Sequence, residues 1–116
     1  MQEEEIKKLR FIEVKNFLLF HSKVLKNQKS RVVIKDEESA NWKVSKNLQY
    51  ELQKLIDFLN ENDVIKDKFQ DEIIQYQEIK NIVDDEKNRE DIKIAQEVFD
   101  KIENIREQIK IKQYQI

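Results

Sequence analysis

The residue types that carry most enzymatic chemistry are scarce in this sequence. It contains no cysteine and no threonine, and His21 is its single histidine. Nucleophilic catalysis needs a serine, threonine or cysteine beside a base, and zinc sites need several histidine or cysteine ligands. Phosphate-binding loops need glycine, which the chain lacks. We therefore expect no catalytic residue, no cofactor and no metal, and we expect His21 to be a core or half-buried histidine whose ring nitrogens are bonded locally.

Charged side chains are instead the most abundant chemical feature. Lys, Arg, Asp and Glu make up 40% of the chain, and the formal net charge is −2. Among 24 acidic residues, a pair of carboxylates that could serve acid–base catalysis cannot be told from the many that form a solvated helix face. The carboxylates therefore add nothing to an enzymatic interpretation, and the sequence predicts a protein that is not an enzyme.

One stretch is basic enough for recognition of another molecule. Between Phe20 and Lys35 every charged residue is basic, and Lys23, Lys26 and Lys29 recur every three residues, with Arg31 beyond them. At this spacing the three lysines share a broad helix face. The strip is a solvated face, a docking strip for an acidic protein, or a contact for nucleic-acid phosphates. A sequence pI near 5.6 and the lack of alternating aromatic residues disfavour nucleic acid.

The segment after an acidic connection adds three more candidate binding residues. Trp42 is the only tryptophan and stands where a second helix should begin. It would anchor a partner if exposed, or cap the core if it packs on the first helix, and we favour the core. The candidate partner-binding residues are accordingly Lys23, Lys26, Lys29, Arg31, Trp42, Lys43 and Lys46.

Composition also determines the expected fold class. The chain has no Gly and no Pro, so it lacks the usual hairpin turns of sheet proteins and the two residues that most disfavour helix. A small net charge and a regular apolar periodicity disfavour disorder. We predict a single domain over residues 1–116, an all-α antiparallel bundle of three or four helices with coiled-coil-like packing. No apolar stretch approaches the ~20 residues of a membrane span, and a cytoplasmic or nuclear location is expected.

Apolar spacing places four periodic stretches along the chain. The first starts near Glu3 and follows steps of three and four, with further apolar residues widening it. Its main positions are Phe11, Val14, Leu18, His21, Leu25, Gln28 and Val32, and its flanking ones Ile6, Leu9, Phe17 and Val24. The second is a leucine seam at Val44, Leu48, Leu52, Leu55 and Leu59. We interpret this seam as part of the core within the chain in preference to a dimer interface.

The heptad spacing continues through the polar run at residues 60–63, so residues 44–83 form either one rod or two helices. We favour a break there, with Asn62 or Asp63 capping a third helix. That helix should carry Ile65, Phe69, Ile73, Tyr76, Ile79 and Val83. After a charged loop at residues 84–91, a last helix should carry Ile92, Ala95, Phe99, Ile102, Ile105, Ile109 and Ile116. Its final turn, residues 110–116, should fray.

Three segments resemble the tubulin-binding cofactor A family. Trp42 to Asn47, WKVSKN, looks like the opening of that family's second helix, where the aromatic is usually tyrosine followed by two lysines and a glutamine. Tyr76, Ile79, the Ile82-Val83 pair and residues 85–87 resemble the end of its second helical region, and residues 95–101 resemble its closing segment. This chain departs by about one extra heptad between Trp42 and Tyr76 and by a longer last helix.

The resemblance implies a three-helix bundle that captures β-tubulin during tubulin folding, with no nucleotide, no metal and no catalytic residue. The expected function is therefore a non-catalytic protein-binding module, a chaperone-like cofactor. The alternative is a small accessory subunit of a larger complex, nuclear and in contact with nucleic acid through the basic strip. Homo-oligomerisation stays open because the leucine seam is so regular.

Overall fold

The computed structural model of the chain describes residues 2–27 and 45–114, and the regular structure within these ranges is helical throughout. The prediction of an all-α helical bundle is confirmed. The described α-helices are α1 (Glu3–Asn27), α2 (Ser45–Glu61), α3 (Gln70–Asp84) and α4 (Ile92–Ile111), with short 3-10 helices at Lys66–Phe69 and Glu86–Glu90.

Contacts between α1 and α2, and between α2 and α3, show that consecutive helices run in opposite directions. Phe17 stacks on Phe58 with ring centroids 3.7 Å apart, while His21, one turn later in α1, lies 3.6 Å from Glu51, earlier in α2. Gln49 near the start of α2 donates a 2.8 Å hydrogen bond to Asp84 at the end of α3. Each pair is therefore antiparallel.

The fourth helix closes the bundle against both α3 and α1. Gln75 near the start of α3 bonds Gln108 near the end of α4 at 2.9 Å. On the other side, Lys26 at the end of α1 pairs with Glu103 at 3.0 Å, and Lys15 donates to the carbonyl of Lys112 beyond the end of α4 at 2.7 Å. The helices alternate up and down, and α1 packs chiefly on α4 while α2 packs chiefly on α3.

Buried apolar side chains from all four helices form one continuous core. The predicted leucine seam of α2 lies inside it, and each of its described leucines is fully buried. Burying one such side chain contributes about 1.5–3 kcal/mol to the stability of the fold. The described leucines of the seam therefore stabilise the packing within the chain. The buried apolar residues are Phe11, Val14, Leu18, Leu25, Leu48, Leu52, Leu55, Ile56, Leu59, Ile65, Phe69, Tyr76, Ile79, Val83, Ala95, Val98, Phe99, Ile102, Ile105 and Ile109.

The predicted break after α2 is present, but its capping differs from the prediction. Neither Asn62 nor Asp63 caps α3, whose N-cap position is Phe69 without a side-chain hydrogen bond. Asn62 instead closes α2, because its side-chain amide donates to the Phe58 carbonyl at 2.6 Å and its backbone N–H to Leu59 at 3.3 Å. An amide side chain can donate a hydrogen bond as well as accept one. Asn62 therefore donates to an unpaired carbonyl at the end of α2 and does not accept from an N–H at the start of α3.

The heptad spacing continues across this break because apolar residues of the connection are buried in the core, although they lie outside the α-helices. Ile65 lies in the turn outside α3, and Phe69 ends the following 3-10 helix, yet both are almost fully buried. Phe69 also stacks on Phe11 of α1, with ring centroids 5.2 Å apart. The connection therefore fills the end of the bundle with side chains that the sequence assigned to a helix.

Two further expectations are corrected by the structure. Ile6 and Leu9 do not widen the buried stripe of α1, since 46% and 51% of their surfaces are exposed. Within the predicted fraying segment, Lys112 and Tyr114 instead pack back onto α1 and the segment before α3, while residues 115 and 116 lie outside the described residues. Positions 28 and 32 of the first stripe and position 44 of the second lie outside the described residues.

Candidate functional site

The basic strip is described only at its first two members. Lys23 is exposed on α1, whereas the Lys26 ammonium lies 3.0 Å from the Glu103 carboxylate of α4, an ion pair without hydrogen-bond alignment. The Lys26 side chain stays 45% exposed, so the pair is worth well under about 1 kcal/mol. Lys26 thus helps to dock α1 on α4 while remaining open to solvent.

The other candidate binding residues cannot be placed relative to Lys23. Lys29, Arg31, Trp42 and Lys43 lie outside the described residues. The backbone of Lys46 belongs to the first turn of α2, but its side chain is not among those described. The interpretation of these residues as a partner-binding group therefore stays a prediction.

His21 lies in a polar and aromatic contact between α1 and α2, as a half-buried residue. Its Nδ1 is 3.6 Å from Glu51 Oε2, and its ring packs against Phe17 at 4.1 Å and Phe20 at 5.3 Å between centroids. A histidine–carboxylate contact can orient a base, but catalysis also needs a nucleophile or substrate pocket beside it. The rings around His21 make this contact a packing element between two helices.

A second polar cluster is buried at the opposite end of the bundle. The Glu72 side chain is 2% exposed and its Oε1 lies 2.6 Å from the Lys112 Nζ, without the alignment of a hydrogen bond. The same ammonium donates to the Lys68 carbonyl and lies over the Phe69 ring. The pair therefore links the chain after α4 to the start of α3, in surroundings where an unpaired charge would be costly.

Tyr76 completes this cluster from one turn further along α3. Its hydroxyl is buried and has no hydrogen-bond partner within the described part of the chain. Burial, and then the negative charge of Glu72, raise the pKa of Tyr76 far above its ordinary value. A phenol held neutral beside a paired carboxylate is inert at neutral pH, so the cluster is best understood as structural.

One side of α1 is apolar and exposed, which was not predicted from the sequence. Leu9 and Leu18 are nine residues apart, which is two and a half helical turns, so they point in opposite directions. Leu18 is fully buried, and the opposite side carries apolar residues that no described part of the chain covers. We call this group the outer face of α1: Ile6 (46% exposed), Leu9 (51%), Ile12 (44%) and Phe20 (65%).

The signal for this outer face was present in the sequence. Apolar residues occur all around α1, and a helix with only one covered side should show a single apolar stripe. The heptad pattern predicts that Ile6 and Leu9 widen the core and gives no role to Ile12 and Phe20, because such a pattern does not say how many neighbours a helix has. Among the described helices, α4 and α2 are the main neighbours of α1, and both lie on the same side of α1 as Leu18.

The described residues offer no group of three His, Cys, Asp or Glu side chains placed to hold a metal ion. None of the helices in the described ranges is long and apolar enough to cross a membrane. Comparison with protein-family models, with curated proteins and with solved structures found no match for the chain.

Proposed function

We propose that this protein is a non-catalytic protein-binding module that meets its partner through the outer face of α1. The observation that carries the proposal is the exposure of Ile6, Leu9, Ile12 and Phe20 on one side of one helix. Exposed apolar residues scattered singly are normal, but Ile6, Leu9 and Ile12 follow one another at steps of three, with Phe20 about two turns further along the same side. Apolar residues grouped in this way are typical of an interaction surface. An aromatic side chain in such a patch is a frequent energetic anchor of interfaces.

The surroundings of the outer face favour a protein over other ligands. The residues between and beside the four apolar side chains are polar or charged, including Glu5, Arg10, Glu13, Asn16 and Lys23. An apolar centre with a polar rim is the usual composition of a protein–protein interface. Enclosed apolar pockets, which small ligands prefer, are not needed for this kind of contact.

β-Tubulin is the first hypothesis for the partner, and it depends on the resemblance to tubulin-binding cofactor A alone. The described α-helices number four, whereas the resemblance implies three, and the difference lies at the break between α2 and α3. The alternative, an accessory subunit that touches nucleic acid through the basic strip, relies on Lys23 and on residues outside the described ranges. A cytoplasmic or nuclear location remains an expectation from the sequence.

The test is a pull-down of the tagged protein from its own cell extract at two salt concentrations, with an untagged copy of the chain co-expressed. Phe20→Glu places a charge on the outer face, and Tyr50→Glu is the matched control, because Tyr50 is a 63% exposed aromatic residue on α2. We expect stoichiometric partners with the wild type and Tyr50→Glu, and their loss with Phe20→Glu. Equal recovery by all three proteins would contradict the proposal.

The identity of the recovered proteins, found by mass spectrometry, separates the hypotheses. Stoichiometric β-tubulin that survives the higher salt would support the cofactor A hypothesis. A different set of subunits would favour the accessory-subunit alternative. Recovery of neither another protein nor the untagged copy would overturn the proposed function.

A further inference from the structure

The outer face of α1 has an acidic residue at one end and a basic residue at the other. Glu5 and Lys23 are 18 residues apart, which is five full helical turns and about 27 Å, so they lie on the same line along the helix. Between them are Leu9, Ile12, Asn16 and Phe20, and all six residues are exposed. We call these six residues the α1 stripe.

The two end charges are not used within the described chain. The ion pairs of α1 in residues 2–27 and 45–114 join Lys7 to Glu3, Arg10 to Glu13, His21 to Glu51 and Lys26 to Glu103. Glu5 and Lys23 belong to none of these pairs. Within the described residues the stripe thus presents an unpaired acid, a middle that is apolar except for Asn16, and an unpaired base, in that order.

We propose that two copies of this chain pair through the α1 stripe in antiparallel orientation, with Glu5 of each copy against the partner's Lys23. This inference rests on the proposed function, because it assigns a partner to the same face: a second copy of the chain, in the place that the cofactor A hypothesis gives to β-tubulin. Such pairing is a two-fold symmetric contact, in which each patch meets an identical one. The two-fold axis crosses near residue 14, so Leu9 packs beside the partner's Phe20 and Ile12 beside the partner's Asn16.

Charge complementarity selects both the partner and the direction. A parallel pair would place Glu5 against the partner's Glu5 and Lys23 against the partner's Lys23, and like charges at both ends repel. The antiparallel pair replaces both repulsions with attractions and also opposes the two helix dipoles favourably. When a second copy of the stripe runs in the opposite direction, each end of the stripe meets the opposite charge, so the surface is complementary to itself.

The geometry predicts a monomer–dimer equilibrium that charge reversal controls in a specific pattern. Glu5→Lys turns two attractions between exposed charges into repulsions, so it should raise the dimer dissociation constant about tenfold or more. Lys23→Glu should do the same. The double variant Glu5→Lys, Lys23→Glu restores opposite charges at both ends, and its dissociation constant should return to within about threefold of the wild type. In a parallel dimer like charges would face each other in every variant, so the double variant would not bind more tightly than either single variant.

Sedimentation equilibrium of the purified full-length chain measures these constants, with circular dichroism to confirm that each variant is folded. Phe20→Glu should abolish the dimer, and Tyr50→Glu should leave it unchanged. Because the chain has no cysteine, cross-linking gives a second readout. Mixed Glu5→Cys and Lys23→Cys proteins should form a disulfide with each other on oxidation, while either one alone should not cross-link to itself.

The outcomes separate this inference from the proposed function. A wild type that stays monomeric at millimolar concentration, or a charge series without the expected rescue, overturns the antiparallel dimer. If Phe20→Glu still abolishes capture of another protein in the pull-down, the proposed function survives and only the inference fails. If neither the dimer nor any captured protein depends on Phe20, both fail.

Discussion

The Glu72–Lys112 pair shows how much a single residue outside the helices contributes to this bundle. Glu72 is buried almost completely, and its counter-ion comes from the residue that follows α4. The Lys112 ammonium is the counter-ion of this buried carboxylate, which would otherwise lie unpaired in the protein interior. Lys112 also binds the Lys68 carbonyl and accepts from Lys15 with its own carbonyl, so it joins α1, α3 and the end of the chain.

We expect Lys112→Met to lower the free energy of unfolding by about 2–4 kcal/mol, because it leaves the Glu72 carboxylate buried and unpaired. Urea denaturation measures this change. Lys110→Met is the matched control, since its partner Glu107 is 57% exposed, and it should change stability little. Adding Glu72→Gln to Lys112→Met should recover most of the loss, whereas equal effects of the two lysine variants would argue against an energetically important pair.

At the scale of elements, four of the described helix ends are stabilised in different ways. Acidic residues Glu3, Glu4 and Glu5 occupy the first turn of α1 and Lys26 its last turn, which complements the helix dipole. Asn62 closes the end of α2. The Asp91 side chain accepts a 2.9 Å hydrogen bond from the Lys93 backbone N–H and so caps the start of α4.

Asp91→Ala should destabilise the protein by about 1 kcal/mol, because it removes the acceptor for a backbone N–H at the start of α4. Asp91→Asn retains a side-chain oxygen at the same position and should cost only a few tenths of a kcal/mol. Chemical denaturation gives both values, and amide hydrogen exchange at Lys93 locates the change. An alanine variant as stable as the asparagine variant would mean that water accepts the hydrogen bond of the Lys93 backbone N–H as well as the Asp91 side chain does.

At the scale of the whole molecule, the buried Tyr76 should make the free energy of unfolding fall with rising pH in the alkaline range. Its pKa is raised above the ordinary value of 10.0 by burial and by the charge of Glu72. The hydrogen bond from the Tyr114 hydroxyl to Glu4 also raises the pKa of Tyr114, to about 12. Folding therefore holds these protons more tightly than the unfolded chain does. Their contribution is complete below pH 10 and is lost progressively as the pH rises above it.

Tyr76→Phe should reduce the decline of unfolding free energy above pH 10, because the variant has no phenol to ionise on unfolding at that position. At neutral pH the variant should be at least as stable as the wild type, since it removes a buried hydroxyl without a partner in the described residues. Denaturation at a series of pH values measures both effects. Tyr50→Phe, at an exposed position, should keep the wild-type decline, and an identical pH profile for both variants would contradict the assignment.

Much of the fold could be predicted because helix formation is encoded locally. The absence of Gly and Pro, the leucine seam and the polar run at residues 60–63 predicted an all-α bundle with a break, and α2 does end at Glu61. The steps of three and four identified Leu48, Leu52, Leu55 and Leu59 as buried residues. Periodicity reports which side of a helix is apolar, and for a helix with one covered side that is enough.

Only the tertiary structure decided which side of α1 is left exposed and which distant residues meet. Leu9 and Leu18 are equally apolar in the sequence, but α2 and α4 both lie on the Leu18 side, so Leu9, Ile12 and Phe20 face outward. Lys112 appeared to belong to a fraying end, yet it is the counter-ion of Glu72, 40 positions earlier. Spacing along one helix contains no information on the number or position of its neighbours, so the candidate binding surface and the buried ion pair follow from packing.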